Sequence, residues 1–267
     1  LQIKDFVRPG DERALEHGRR LCAAMGQVTD PDETAAYLGL SYAELEDAVG
    51  AEEAARRYAR DGRQAFLPLK LLERIVGEVR PDLVFATNSP RAEQAALETA
   101  RHLGVPSVCL LDLFGIWERE LFARPDYGDA LCVLNDAVKQ TFVAAGRPAA
   151  TIRVTGNPAF DTLGDPALRA QGQAWRREAG WDGLHVLLYA SSPEPREIPG
   201  VEGEGDADLP RAIERQLVEA VQAREDLALW VRRHPSEAAP DDIAALNHPR
   251  IRASTRDMAL PAMLQAC

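Results

Sequence analysis

The motif W-V-R-R-H-P, from Trp230 to Pro235, sets two guanidinium groups and an imidazole directly after an apolar run. Arg232 and Arg233 are suited to gripping a diphosphate in bidentate fashion, and His234 can donate to a phosphate oxygen or move a proton. Comparable groups follow other apolar runs. Asn88, Ser89 and Arg91 come after D-L-V-F-A-T, Asp112 and Phe114 after V-C-L-L, Gly156 and Asn157 after T-I-R-V-T, and Ser191 and Ser192 after H-V-L-L-Y-A. Asp112 and His234 are the candidates for proton transfer, and the remaining residues are candidates for substrate binding. Glu118 and Glu120, in W-E-R-E, fit solvated loop charges better than a catalytic base. His17, His102, His185 and His248 have no arrangement suggesting a metal or a triad, and no metal or cofactor is expected.

These residues need a scaffold that brings strand ends to one edge. From Leu71 onward the sequence alternates amphipathic stretches with short apolar runs. L-L-E-R-I-V-G-E-V precedes D-L-V-F-A-T, a helix over 91–103 ends at Gly104, and V-P-S-V-C-L-L follows. A-L-C-V-L, a helix over 136–145 and T-I-R-V-T-G complete this half. The alternation restarts after Asp161, with a helix over 167–179, H-V-L-L-Y-A, a polar loop over 191–209, a helix over 210–224, L-A-L-W-V-R and I-R-A-S. Continuous apolar runs alternating with helices predict parallel strands buried on both faces, an α/β fold of two Rossmann-like domains, 1–155 and 156–267. In such sheets ligands collect outside the carboxyl ends of the strands, which places the candidate loops, with Phe114 and Trp117, at a cleft between the domains. Residues 1–65 are less legible: L-Q-I-K-D-F-V suggests a strand, and most of 11–60 a set of acidic, alanine-rich helices.

Composition narrows the partners. The 267 residues carry 42 acids against 31 bases, a net charge of −11 that repels nucleic acid and anionic membranes. A local pocket of arginines and backbone N–H groups still accommodates an anionic nucleotide. Cys22, Cys109, Cys132 and Cys267 are too widely spaced for a metal site and fit small core hydrophobes in a reducing, cytoplasmic compartment. No apolar run is long enough to cross a bilayer.

The segment R-V-T-G-N-P-A-F-D, from Arg153 to Asp161, resembles the interdomain linker of GT-B nucleotide-sugar enzymes, a group that includes UDP-N-acetylglucosamine 2-epimerases and capsule and lipopolysaccharide glycosyltransferases. P-D-L-V-F-A-T, G-V-P-S-V, D-A-L-C-V-L-N and W-V-R-R-H-P resemble the same group in the same order. The resemblance implies a GT-B-like fold, incomplete at both termini, because no glycine-rich first turn precedes Leu1 and the donor-binding motif would lie past Cys267. It implies a nucleotide-sugar of the UDP-sugar type as ligand and a sugar or glycan acceptor as second substrate, with a homodimer left open. The leading expectation is glycosyl transfer in envelope or capsule polysaccharide synthesis. The alternatives are a UDP-N-acetylglucosamine 2-epimerase or nucleotide-sugar hydrolase, and a noncatalytic sugar-nucleotide binding protein. Asn88 stands where the epimerases carry their first acid and Asp112 where they carry the second, so half of the epimerase acid–base pair is visible.

Overall fold

A computed structural model describes residues 1–25, 28–116, 119–194, 196, 205–238 and 240–267. Internal contacts divide the chain into unit 1, Leu1–Asn157, and unit 2, Pro158–Cys267.

Unit 1 opens with a short 3-10 turn, Ile3–Phe6, where the alternation of L-Q-I-K-D-F-V had suggested a strand. The cause is local: Asp5 accepts from the Gln2 amide, and Glu33 accepts from the amides of Ile3 and Lys4, so these donors are taken by side chains rather than by a ladder. Helices α1 (Glu12–Ala24), α2 (Pro31–Val49) and α3 (Ala51–Asp61) follow. They enclose an apolar cluster including Leu38, Leu45, Ala54 and Phe66. Helices α1 and α2 cross at Gly18 and Gly39, where added Cβ atoms would lie 2.0 Å from the Ala35 carbonyl oxygen and 2.1 Å from that of Ala14. Only glycine permits that approach.

Helix α4 (Leu69–Val79) leads into the sheet of unit 1, which alternates β1 (Val84–Thr87), α5 (Ala92–Leu103), β2 (Ser107–Leu110), α6 (Arg119–Ala123), β3 (Ala130–Val133), α7 (Asp136–Ala144) and β4 (Ile152–Val154). The strands are parallel in the order β1-β2-β3-β4, with Ala86, Cys109, Leu131 and Ile152 in register. Those four residues share one face and pack with Leu97 of α5, Phe122 of α6 and Val138 and Phe142 of α7. Burial pushes the Cys109 thiol up to about 12, which makes it a core hydrophobe. Residues of opposite parity are less covered: Val108 and Leu110 are half-buried and Phe85 is 59% exposed. Burial on both faces, expected from the continuous apolar runs, is therefore incomplete in unit 1, because the helices following its strands all contribute to the same cluster.

Arg147 is fully buried beside this core. Its guanidinium donates to the carbonyls of Phe122, Arg124, Tyr127 and Gly128 at 2.8–3.0 Å and to the Thr151 hydroxyl at 3.1 Å. Burial lowers its pKa.

Unit 2 begins with a 3-10 turn, Pro158–Gly164, followed by α8 (Pro166–Glu178), β5 (His185–Ala190), α9 (Leu209–Ala223), β6 (Leu227–Arg232), α10 (Asp241–Ala245), β7 (Ile251–Ala253) and α11 (Leu260–Leu264). Its strands are parallel in the order β5-β6-β7. Here both faces are covered. Val221 of α9 and Ile243 of α10 pack with Leu229, Val231 and Ile251, while Trp181 and Met263 pack with Val186, Ala228 and Trp230. That is why L-A-L-W-V is apolar without alternation. Of the four cysteines, Cys22 and Cys109 are buried and Cys132 is half-buried, whereas Cys267, expected in a core, is exposed at the end of the short α11 segment. No helix among the described residues is long and apolar enough to cross a membrane.

Candidate functional site

At the carboxyl end of the unit 1 sheet, three of the expected residues come together. The Asp112 amide donates to the Asn88 side-chain oxygen at 3.3 Å, and the Asn157 side-chain amide donates to the Asp112 carbonyl at 2.8 Å. The parallel register puts these residues in reach. Thr87 pairs with Leu110, two residues before Asp112, and β4 turns back at Gly156, whose φ of 75° favours glycine and whose amide donates to Val133 at 3.2 Å. Asp112 is exposed.

Among the described residues Ser89 bonds locally, to the Pro90 carbonyl at 3.4 Å. Arg91 is the residue preceding α5 and has a φ of 78°, an unusual backbone conformation for a side chain of its size. Phe114, two residues past Asp112, is 52% exposed. Trp117 and Glu118 lie outside the described residues. A carboxylate that the sequence reading passed over also reaches this edge: Glu93, in the first turn of α5, accepts from the Thr87 hydroxyl at the end of β1. Its position in the chain signalled only an ordinary acidic residue at a helix start.

In unit 2, the residue after β5 still bonds to the end of β6, with the Ser191 amide donating to the Arg232 carbonyl at 2.8 Å. The Ser191 hydroxyl donates to the Glu237 carboxylate. Ser192 is exposed beside it. Arg232 donates to the Met258 carbonyl at 2.6 Å.

Arg233 has a different setting. Its side chain is 4% exposed and is held by Glu214 at 2.6 Å and Asp242 at 2.8 Å. Burial by itself would disfavour its charge, but the bonds from both carboxylates reverse the effect and raise its pKa. Arg233 anchors the chain leaving β6 to α9 and α10. Its partner Glu214, 19 residues earlier and 6% exposed, is a buried acid whose role no local pattern in the sequence announces.

His234 follows, exposed at the surface. Its Nδ1 lies 2.7 Å from the Ser236 hydroxyl and 3.2 Å from the Ser236 amide. An amide nitrogen only donates, so Nδ1 accepts this bond and Nε2 is the ring nitrogen left to donate. The His234 amide donates to Glu237 at 2.9 Å.

Arg232, Arg233 and His234 line a cavity of about 1040 Å³ that runs past the carboxyl end of β6 and along β7. Glu237, Arg252, Ser254, Thr255 and Arg256 contribute further to its wall. Apart from Glu237 and Asp241, the charged groups lining it are cationic, and the hydroxyls and the Nε2–H add neutral donors. Such a wall suits a phosphorylated ligand. Among the described residues no group of three or more His, Cys, Asp or Glu is placed to hold a metal ion.

No family model matches the sequence, and no curated protein matches it. Solved structures do. The UDP-N-acetylglucosamine 2-epimerase of Neisseria meningitidis bound to UDP-N-acetylglucosamine is 13% identical, with a TM-score of 0.49, over 74% of this chain and 55% of that one. The epimerase of Rickettsia bellii is 11% identical, with a TM-score of 0.49, over 74% and 52%. HepE of Anabaena in complex with UDP is 16% identical, with a TM-score of 0.47, over 74% and 55%. The chain spans about half the length of these structures.

Proposed function

We propose that the chain is part of an enzyme that processes a nucleotide-activated sugar, its unit 2 cavity taking the phosphate side of the ligand. The observation that carries this reading is the cavity beside β6, whose lining includes Arg232, His234, Arg252, Arg256 and the hydroxyl residues Ser254 and Thr255. Ligands of open α/β sheets sit at the carboxyl ends of strands, and a diphosphate needs cations and N–H donors there. Arg233 supports the wall from within.

Within that class, epimerisation at the sugar is the first reaction to test. It requires two groups able to take and return a proton, and Glu93 with Asp112 gives the carboxyl edge of the unit 1 sheet two carboxylates. Glycosyl transfer to a glycan acceptor is the second reading. It is favoured by the exposed side chains of Leu113, Phe114 and Ile116 beside Asp112, which suit the apolar face of a sugar.

Incubation with UDP-N-acetylglucosamine in D₂O, followed by NMR, tests both. Epimerisation gives deuterium at the carbon that loses its proton, together with a second epimer. Transfer gives free UDP only when an acceptor is supplied. Binding without either product supports a noncatalytic role, and absence of binding refutes the nucleotide-sugar reading.

A further inference from the structure

The cavity of unit 2 contains an acid where the proposed ligand is itself an anion. Glu237 lines it together with Arg232, His234, Arg252 and Arg256. A carboxylate in that position repels phosphate, so its presence calls for a role other than contact with the phosphates.

The bonding of Glu237 supplies one. Its amide donates to the His234 carbonyl at 2.8 Å, and the His234 amide donates back to Oε2 of Glu237 at 2.9 Å, closing the turn 234–237 from both sides. The same Oε2 accepts from the Ser191 hydroxyl. Ser191 is fixed in turn by its backbone amide, which donates to the Arg232 carbonyl at 2.8 Å. One oxygen atom therefore joins the exit of β5 to the turn that carries His234, while Ser236 holds Nδ1 of the imidazole.

We infer that Glu237 is the positioning residue of this cavity, presetting the His234 turn against Ser191 without itself binding the nucleotide. The inference rests on the nucleotide-sugar reading for its ligand, but its geometry stands apart from it. Charge serves the purpose because bonds from N–H and O–H to a carboxylate are stronger than those to a neutral acceptor. Two cations compensate for that charge, Arg211 from α9 and Arg233 from the exit of β6. Burial by itself would raise the Glu237 pKa, but the bonds from Ser191 and the His234 amide, with those two arginines, bring it below the ordinary carboxylate value. The acid is thus ionised at neutral pH.

Two measurements on the folded chain test this. In nucleotide-free protein, the His234 amide resonance should move with pH through an inflection below about 4.3, the ordinary glutamate value. Glu237→Gln should abolish that inflection, which separates it from the nearby titration of Asp242. A His234 amide that shows no such inflection in the wild type overturns the inference. In a calorimetric titration with UDP, Glu237→Ala should bind about tenfold more weakly, the loss expected when one charge-assisted bond no longer orders a donor. Glu237→Gln, which keeps a weaker, neutral acceptor at the same place, should bind more tightly than Glu237→Ala. Equal affinity of the alanine variant and the wild type overturns the positioning role. Should wild-type chain bind no UDP, the nucleotide reading falls, and the amide inflection alone decides whether Glu237 holds His234.

Discussion

Asn157 and Asp112, 45 residues apart in the chain, are joined by a hydrogen bond of 2.8 Å from the Asn157 side-chain amide to the Asp112 carbonyl. The bond ties the end of unit 1 to the loop that carries its exposed carboxylate. Asn157→Ala removes it, with an expected loss of about 1 kcal/mol in stability, read by chemical denaturation. Asp112→Asn should leave stability unchanged and abolish turnover of a nucleotide-sugar. Full activity of Asp112→Asn would remove this residue from the chemistry.

His234→Ala deletes the Nε2–H donor and leaves Arg232 in place. Affinity for a UDP-sugar should fall by about 1–3 kcal/mol, the range for one bond to a charged group, with the melting temperature nearly constant. Calorimetry paired with a thermal melt distinguishes this from a structural histidine, whose loss would lower the melting temperature and spare affinity in the folded fraction.

Arg147→Met keeps much of the buried volume but strands four carbonyls that now share the guanidinium. Each unsatisfied buried group costs about 1–3 kcal/mol. A loss of at least about 3 kcal/mol in urea unfolding is therefore expected. A loss under about 1 kcal/mol would mean that the carbonyls find water.

Glu214→Gln removes one carboxylate from buried Arg233 but leaves Asp242 and an amide acceptor in place, so the expected loss in urea unfolding is about 1–3 kcal/mol, below that for a buried charge left unpaired. The other partner sets an acid limit. The Arg233 bond, against a smaller opposing effect of burial, holds the Asp242 pKa below its ordinary value. Its contribution is fully present above the unfolded-state pKa of about 3.9 and is lost as pH falls through the lower folded-state value. Asp242→Asn should flatten the acid limb of a stability-against-pH curve. An unchanged limb would show that Asp242 contributes nothing there.

Much of the architecture was legible in the sequence because the signals that carry it are local. Gly104 ends α5 at a φ of 72°, Asn135 caps α7 by accepting from the Val138 amide at 3.0 Å, and Asp165 caps α8 by accepting from the Ala167 amide at 2.8 Å. The unbroken apolar run of β6 signalled a strand covered on both faces, which unit 2 provides. Strand ends followed by Asn, Asp, Ser, Arg and His marked where candidate groups would gather, since parallel strands bring their carboxyl ends to one edge. The residues at 1–7 misled because alternation does not reveal that Asp5 and Glu33 take the backbone donors.

Tertiary structure decided which of those groups remain available and which are bound within the protein. Arg232 and Arg233 are neighbours of identical type, yet they are held differently, Arg233 by the carboxylates of Glu214 and Asp242 and Arg232 by the Met258 carbonyl, because successive residues at a strand end diverge and α9 presents Glu214 to one of them. Arg147 carries no local signal of burial, which follows from four carbonyls brought around it by the end of α6 and the turn after it. Glu93 and Glu237 gained partners at Thr87 and Ser191, 6 and 46 residues away, through the packing of loops at the sheet edges. Periodicity fixes which residues form an element and which face they share. The partner of each polar side chain depends on which segments that packing places alongside it, and sequence spacing does not encode this.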